Sequence, residues 1–170
     1  MAAGLRRLTL TMTLALIALA QAGCKQPATP YGFERVTLDG RTYTLEIVAD
    51  DASRTKGLGD RTELAEDKGM LFVFPNSTKR HFVMRDCFID IDIIYLDANA
   101  RIVAMHQMPV EEPQREGETG LAYNNRLKRY SSRFDSQFVI ELAGGQLDHL
   151  NLEDGQRIKL DTARLRSLAK

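Results

Sequence analysis

Gly69-Met70-Leu71-Phe72-Val73-Phe74 is the stretch that decides the fold. Its continuous apolar run, bounded by Gly69 on one side and Pro75-Asn76 on the other, predicts a short strand buried on both faces. Asp92-Ile93-Ile94-Tyr95-Leu96 reads the same way. Two such strands call for a sheet with cover on both sides, and the flanking sequence supplies further strands. Toward the N-terminus, Phe33 to Leu38 and Arg41 to Ala49 form strands joined by Asp39-Gly40, a two-residue hairpin turn. In the return strand Tyr43, Leu45, Ile47 and Ala49 alternate onto one face. Asp50 or Asp51 caps a short helix over Ala52 to Lys56, which Gly57 ends. Leu64 to Lys68 is a polar connector.

Toward the C-terminus, Lys79 to Met84 predicts a separate strand after the Pro75-Asn76 stop. Asp97 to Ala100 turns into a strand over Arg101 to Met108. Pro109 to Arg129 contains Glu111, Glu112, Pro113, Glu116, Gly117, Glu118 and Gly120 and shows no apolar period. It is the one long irregular stretch, expected to be functional or mobile. Phe138 to Leu142 is a strand ended by Gly144-Gly145, and a short helix over Gln146 to Leu150 follows. Asp154-Gly155 turns into a last strand, Arg157 to Leu160. The sum is an α+β, mainly β domain over residues 33–161: a small single-domain, barrel-like sheet with two short helices, then a basic tail over 162–170.

The N-terminus carries an address. Arg6-Arg7 is a positive n-region, and Leu8 to Ala20 is an apolar run of signal-peptide length, too short for a stable span. Two processing sites compete. Ala20-Gln21-Ala22 is an A-x-A site that releases a protein starting at Gly23. Ala22-Gly23-Cys24 resembles the end of a bacterial lipobox, in which Cys24 takes lipid, although Gln21 stands where an aliphatic residue is usual. Residues 24–32 read as a polar, Pro-containing tether. The expected product is an exported envelope protein anchored to membrane lipid through Cys24; after cleavage at Ala22 it is instead soluble in the periplasm or exterior. Cys87 is then a lone thiol in the anchored form, and a Cys24–Cys87 bridge is open only to the other.

Composition sets limits. Among 170 residues, 23 Lys and Arg balance 23 Asp and Glu, which argues against a nucleic-acid partner. A hydrophobic content of 44% is enough for a real core. No G-x-S-x-G, phosphate-cradling Gly loop, H-E-x-x-H or C-x-x-C occurs, and no cofactor is expected.

Four blocks then stand in order: Arg54-x-x-Gly57-Leu58 with Arg61; Gly69 to Pro75; Phe82-x-Met84-Arg85 with Asp92 to Asp97; and Phe138-Val139-Ile140-Glu141-Leu142-x-x-Gly145 with Leu152-x-x-Gly155. In order and spacing they resemble the bacterial and archaeal domain-of-unknown-function family 192, over about Thr37 to Leu160. The resemblance implies a compact, mostly β domain, often secreted or tethered, and no known reaction. The family tends to carry Met at Gly59, Trp at Val83, Asn at Asp86, Thr at Cys87 and Pro at Asp90, and this chain departs from it at each.

Three constellations could carry function. Arg61, Met84, Arg85 and Asp92 are expected to meet at one concave patch with Pro109 to Arg129 as its rim, a seat for a small polar or anionic ligand or an envelope protein. The plain counter-reading is a structural salt bridge between Arg61 and Asp92. Asp86, Asp90 and Asp92 share parity, so a straight strand would line them up for cation binding or, with Arg85, for acid–base chemistry in an unfamiliar enzyme. Met84, twenty-one residues, then His106-x-Met108 resembles part of the motif of periplasmic copper(I) chaperones, and thioether with imidazole suits Cu(I). The leading reading is a non-catalytic binding module, with a periplasmic Cu(I)-binding protein and an enzyme as alternatives.

Overall fold

A computed structural model describes residues 30–170. The expected signal segment, Cys24 and most of the tether lie outside the described residues. Six strands form one sheet: β1 (Phe33–Leu38), β2 (Arg41–Val48), β3 (Lys68–Phe82), β4 (Ile91–Leu96), β5 (Ile102–Met108) and β6 (Tyr130–Ala143). Their order is β1-β2-β3-β6-β4-β5. Only β2 and β3 run parallel, joined over the sheet by α1 (Asp51–Lys56); the other neighbours are antiparallel. The sheet does not close on itself, so the barrel expectation gives way to an open sheet with edges at β1 and β5.

Local signals explain most of these elements. Asp39 and Gly40 both hold positive φ, 45° and 77°, which sets the twist of the β1–β2 hairpin. Asp50 caps α1 through Oδ1, which accepts the Ser53 N–H at 2.9 Å, and Gly57 ends the helix at φ 51°. The apolar run over Met70 to Val73 is buried, as expected. The stop at Pro75-Asn76 is not a stop. β3 runs on to Phe82, and its register against β6 shifts between Val73 and Thr78 and again between Lys79 and His81. The proline is absorbed by the first of these irregularities, where no ladder hydrogen bond is required of it. The partner strand β6 is correspondingly longer than its apolar part, Phe138 to Leu142.

The irregularities bend both strands. Tyr95 Oη donates to the Tyr130 carbonyl at 2.8 Å, and His106 Nε2 lies 2.7 Å from the Ser131 carbonyl. The first half of β6 therefore folds over one face of β4 and β5. Two cores result. The first holds Tyr43, Leu45, Ile47, Leu71, Val73, Ile94 and Phe138 and is closed by Leu165. The second, on the opposite face, holds Met70, Phe72, Ile93, Tyr95 and Val139 with Leu58, Met84 and Cys87.

Three further departures concern helices and the last strand. Residues 109–129 contain α2 (Gly120–Arg126), which Thr119 caps and which buries Tyr123. The 162–170 tail is α3 (Thr162–Leu168), and its Leu165 is fully buried, so it is part of the packed domain. The helix expected at Gln146 to Leu150 is a single 3-10 turn, Leu147–His149. The strand expected at Arg157 to Leu160 reduces to one bridge, Arg101 to Arg157. Three short α-helices thus replace the expected two.

Phe72 sits in the second core with its ring 5.1 Å from that of Phe82, edge to face. Phe72→Ala is expected to lower the unfolding free energy by about 3–5 kcal/mol in a urea titration. A loss below about 1 kcal/mol would place the ring outside the core.

Candidate functional site

α1 and the turn after it form one wall of an open groove, and the segment from His81 to Cys87 forms the other. The groove encloses about 750 Å³. Two tight turns hold its end together. Asp60 and Asp86 both take left-handed backbone, at φ 64° and 53°, and the Asp60 N–H donates to the Asp86 carbonyl at 2.8 Å. Gly59 lies between them, where a Cβ would stand 2.9 Å from the Lys56 carbonyl, so the turn closes only around a bare backbone. Phe72, Phe74 and Phe82 supply aromatic surface to the groove, and Arg54, Lys56, Arg85, Asp60 and Asp86 supply charge.

The groove is also lined by Glu141, from the middle of β6. This residue is 5% exposed, and its Oε2 is buried without a hydrogen-bond partner. Sheet register explains its position. Glu46, Met70, Glu141 and Ile93 stand side by side on β2, β3, β6 and β4. Burial pushes the Glu141 carboxyl up to about 8, against a smaller opposing pull from the charge of Arg61, so it is mostly protonated near pH 7. Arg61 is committed elsewhere: it makes a two-pronged ion pair with Glu46, at 2.7 and 2.8 Å. Both side chains of that pair are mostly buried, so removing either leaves the other charge stranded, at a cost of about 3–5 kcal/mol.

Glu141 was not among the candidate residues, although the sequence marks it: it is the one acid in the apolar run Phe138 to Leu142. In a doubly buried strand a lone carboxyl must find a partner, neutralise, or face a cavity.

The predicted residues fall in several places. Arg85 lines the groove, is exposed, and makes no ion pair among the described residues. Met84 is buried in the second core beneath it. Arg61 pairs with Glu46 and not with Asp92. Asp92 alternates with Ile91 and Ile93 and so faces the first core, on the other side of the sheet. There its Oδ2 accepts the Leu147 N–H at 2.6 Å, anchoring the 3-10 turn; burial raises its carboxyl, and the amides of residues 145–147 oppose that rise. The four residues therefore do not share one concavity.

The shared parity of Asp86, Asp90 and Asp92 does not produce a shared face, because β4 begins only at Ile91 and Asp86 lies in a turn. Asp90 instead accepts the Val110 N–H at 2.7 Å. His106, Met84 and Met108 border the same core, where the His106 ring lies 6.0 Å from that of Tyr95 and 5.8 Å from that of Tyr130. No three His, Cys, Asp or Glu side chains converge as a metal site among the described residues. The 109–129 segment does not line the groove. It is ordered by Arg126, which pairs with Glu118 at 2.8 Å and donates to the carbonyls of Glu112 and Pro113. It braces the groove through Tyr123, whose hydroxyl accepts the Asp86 N–H at 3.1 Å.

Glu141 links stability to pH. Below the ordinary range of a glutamate, near 4.5, folded and unfolded chains both hold the proton and the group contributes nothing. Between 4.5 and about 8 the unfolded chain releases the proton and the folded chain retains it, so stability falls as pH rises. The expected slope approaches about 1.4 kcal/mol per pH unit, and Glu141→Gln is expected to flatten it. Denaturant melts of both forms across this window check the sign; parallel curves would mean that Glu141 is ionised in the fold.

Comparison with known proteins bears on fold and family. A crystal structure of a Sinorhizobium meliloti 1021 protein bearing a provisional transcription-regulator name is similar at TM-score 0.59 and 25% identity, over 74% of this chain and 89% of that one. A Novosphingobium aromaticivorans DSM 12444 protein of unknown function is similar at TM-score 0.59 and 23% identity, over 75% and 85%, and shows the fold alone. No curated protein matches the chain. The four blocks, the open sheet that joins them and a family-model match over residues 34–160 agree: the chain belongs to the DUF192 family, described as Uncharacterized ACR, COG1430.

Proposed function

We propose that this chain is an exported, lipid-anchored envelope protein whose domain holds a small ligand in the groove over Glu141 without transforming it. The observation that carries the binding half is the groove itself: about 750 Å³, aromatic on one side, charged at its mouth, with an unpartnered buried carboxyl in its lining. Small-molecule sites have this scale and this mixture of apolar wall and few polar groups. Cys87, the obvious nucleophile in the lining, supports a non-catalytic reading. Burial first, and the nearby Glu141 second, push its thiol up to about 12, so it packs as a thiol and not as a reactive thiolate.

The address half rests on Arg6-Arg7, the apolar run Leu8 to Ala20 and Ala22-Gly23-Cys24. The tether would enter the domain at the start of β2's partner strand, since the Ile47 N–H donates to the Gly32 carbonyl and Tyr31 packs against the first core. Several acyl chains on Cys24 would keep the domain close to the bilayer.

Intact-mass measurement tests the anchor. Acyl mass on a chain beginning at Cys24 is expected, and a mature form beginning at Gly23 with unmodified Cys24 would remove it. The groove is tested with 1-anilinonaphthalene-8-sulfonate. The folded chain is expected to take up one molecule with blue-shifted emission, and Thr55→Trp, which fills the mouth from the exposed end of α1, to weaken uptake at least tenfold with the melting temperature kept. Uptake equal in both forms, or none, would refute the site.

A further inference from the structure

The lining of the groove restricts what can occupy it, and the restriction rests on the binding reading given above. Glu141 stands beside Arg61 across the second face, and Arg61 has a full carboxylate partner in Glu46. Arg61 is thus held by Glu46 outside the groove lining, and Glu141 faces the groove as a protonated carboxyl. A neutral carboxyl both donates and accepts one hydrogen bond, which an amide or carbonyl group of a guest can match. Its Oε2 is enclosed without a partner, so the guest meets the part of Glu141 that lines the groove.

The mouth selects differently. Among the charged groups there, Arg54 pairs with Asp51 and Lys56 pairs with Asp60. Arg85 makes no ion pair among the described residues. Arg80 flanks the same wall, with its guanidinium 3.5 Å from the Phe74 centroid, and its hydrogen bonds go to uncharged oxygens of Asn76 and Ser136. Burial and the charge of Arg54 lower Arg80 to about 10, still protonated. Within the lining one carboxylate also lacks a cation, Asp86, whose Oδ1 lies 3.4 Å from the Tyr123 hydroxyl. The exposed planar fork of Arg85 offers a seat for a carboxylate. Between mouth and Glu141 the wall is Phe72, Phe74 and Phe82.

We propose that the guest of this groove is a small amphipathic carboxylate that also carries an amide: an N-acylated amino acid with an aromatic or aliphatic side chain. The apolar side chain lies on the phenylalanine wall, the amide meets Glu141, and the carboxylate meets Arg85.

Three compounds and three variants test it by titration calorimetry on the purified chain. N-acetyl-L-phenylalanine is the probe; N-acetyl-L-phenylalaninamide lacks the carboxylate, and 3-phenylpropionate lacks the amide. The probe is expected to bind at least tenfold more tightly than either. Arg85→Ala is expected to weaken the probe about tenfold and leave the amide compound unchanged. Glu141→Gln, which keeps a donor and an acceptor, is expected to retain binding, and Glu141→Leu to lose it. Binding to the unsubstituted chain is expected to weaken above about pH 8, where Glu141 ionises, and binding to Glu141→Gln is not. Equal affinity for all three compounds, or equal loss with both on Arg85→Ala, would overturn the assignment. If 1-anilinonaphthalene-8-sulfonate occupies the groove and the probe fails to displace it, the ligand class is wrong and the binding site stands. If neither occupies the groove, both fall.

Discussion

Strand β6 lies against β3 so closely at one point that no side chain fits between them. At Gly69 a Cβ would stand 2.3 Å from the Glu141 carbonyl, with Leu45 and Leu142 methyls at 2.8 and 3.0 Å. The rest of the sheet depends on this contact. It sets the register that places Glu141 opposite Met70, and through Met70 opposite Glu46 on β2. It also brings Val139 and Phe72 onto the face that α1 and the His81–Cys87 segment cover. The groove is the space left because that cover is short: α1 has six residues and buries none of its own side chains. A helix with no buried residue is a rim and not a lid for the core.

The second constraint is charge. Two glutamates and one arginine meet on the same face of the sheet, and only one carboxylate can be satisfied by one guanidinium. Glu46 takes it in bidentate geometry, and Glu141 keeps its proton. Asp92, equally buried on the opposite face, solves the same problem with backbone amides at a turn. Asp92 spends its Oδ2 on holding the 3-10 turn, while its Oδ1, like the Oε2 of Glu141, is buried without a hydrogen-bond partner among the described residues; what distinguishes Glu141 is that it lines the groove.

Much of this was legible in the chain. Alternation at Tyr43, Leu45, Ile47 and Ala49, the Asp39-Gly40 turn and a cap at Asp50 or Asp51 are local signals, decided within a few residues; the first two appear where expected, and the structure picks Asp50 for the third. What failed was non-local. Pro75-Asn76 reads as a terminus because proline lacks a donor, but β3 continues past it when β6 pairs irregularly there. α2 and α3 have too few apolar residues to show a period, and each is fixed by one buried side chain, Tyr123 or Leu165, whose pocket is made elsewhere. The site was half legible for the same reason. Arg85 was found because a guanidinium is conspicuous; its partner in the groove was missed because a strand glutamate looks like any other until the sheet register sets it under a cavity.

The sheet order also has a kinetic meaning. β3 and β6 are neighbours in space, yet Gly69 pairs with Leu142 and Val73 with Phe138 across the whole intervening chain. Neither core can close until β6 has left the ribosome, because β6 separates β3 from β4. Chains dominated by such distant pairings fold slowly. For a protein that, as proposed, crosses a membrane before it folds, the delay is useful: the central strand comes late, so the export machinery receives a chain that has not yet committed to its structure.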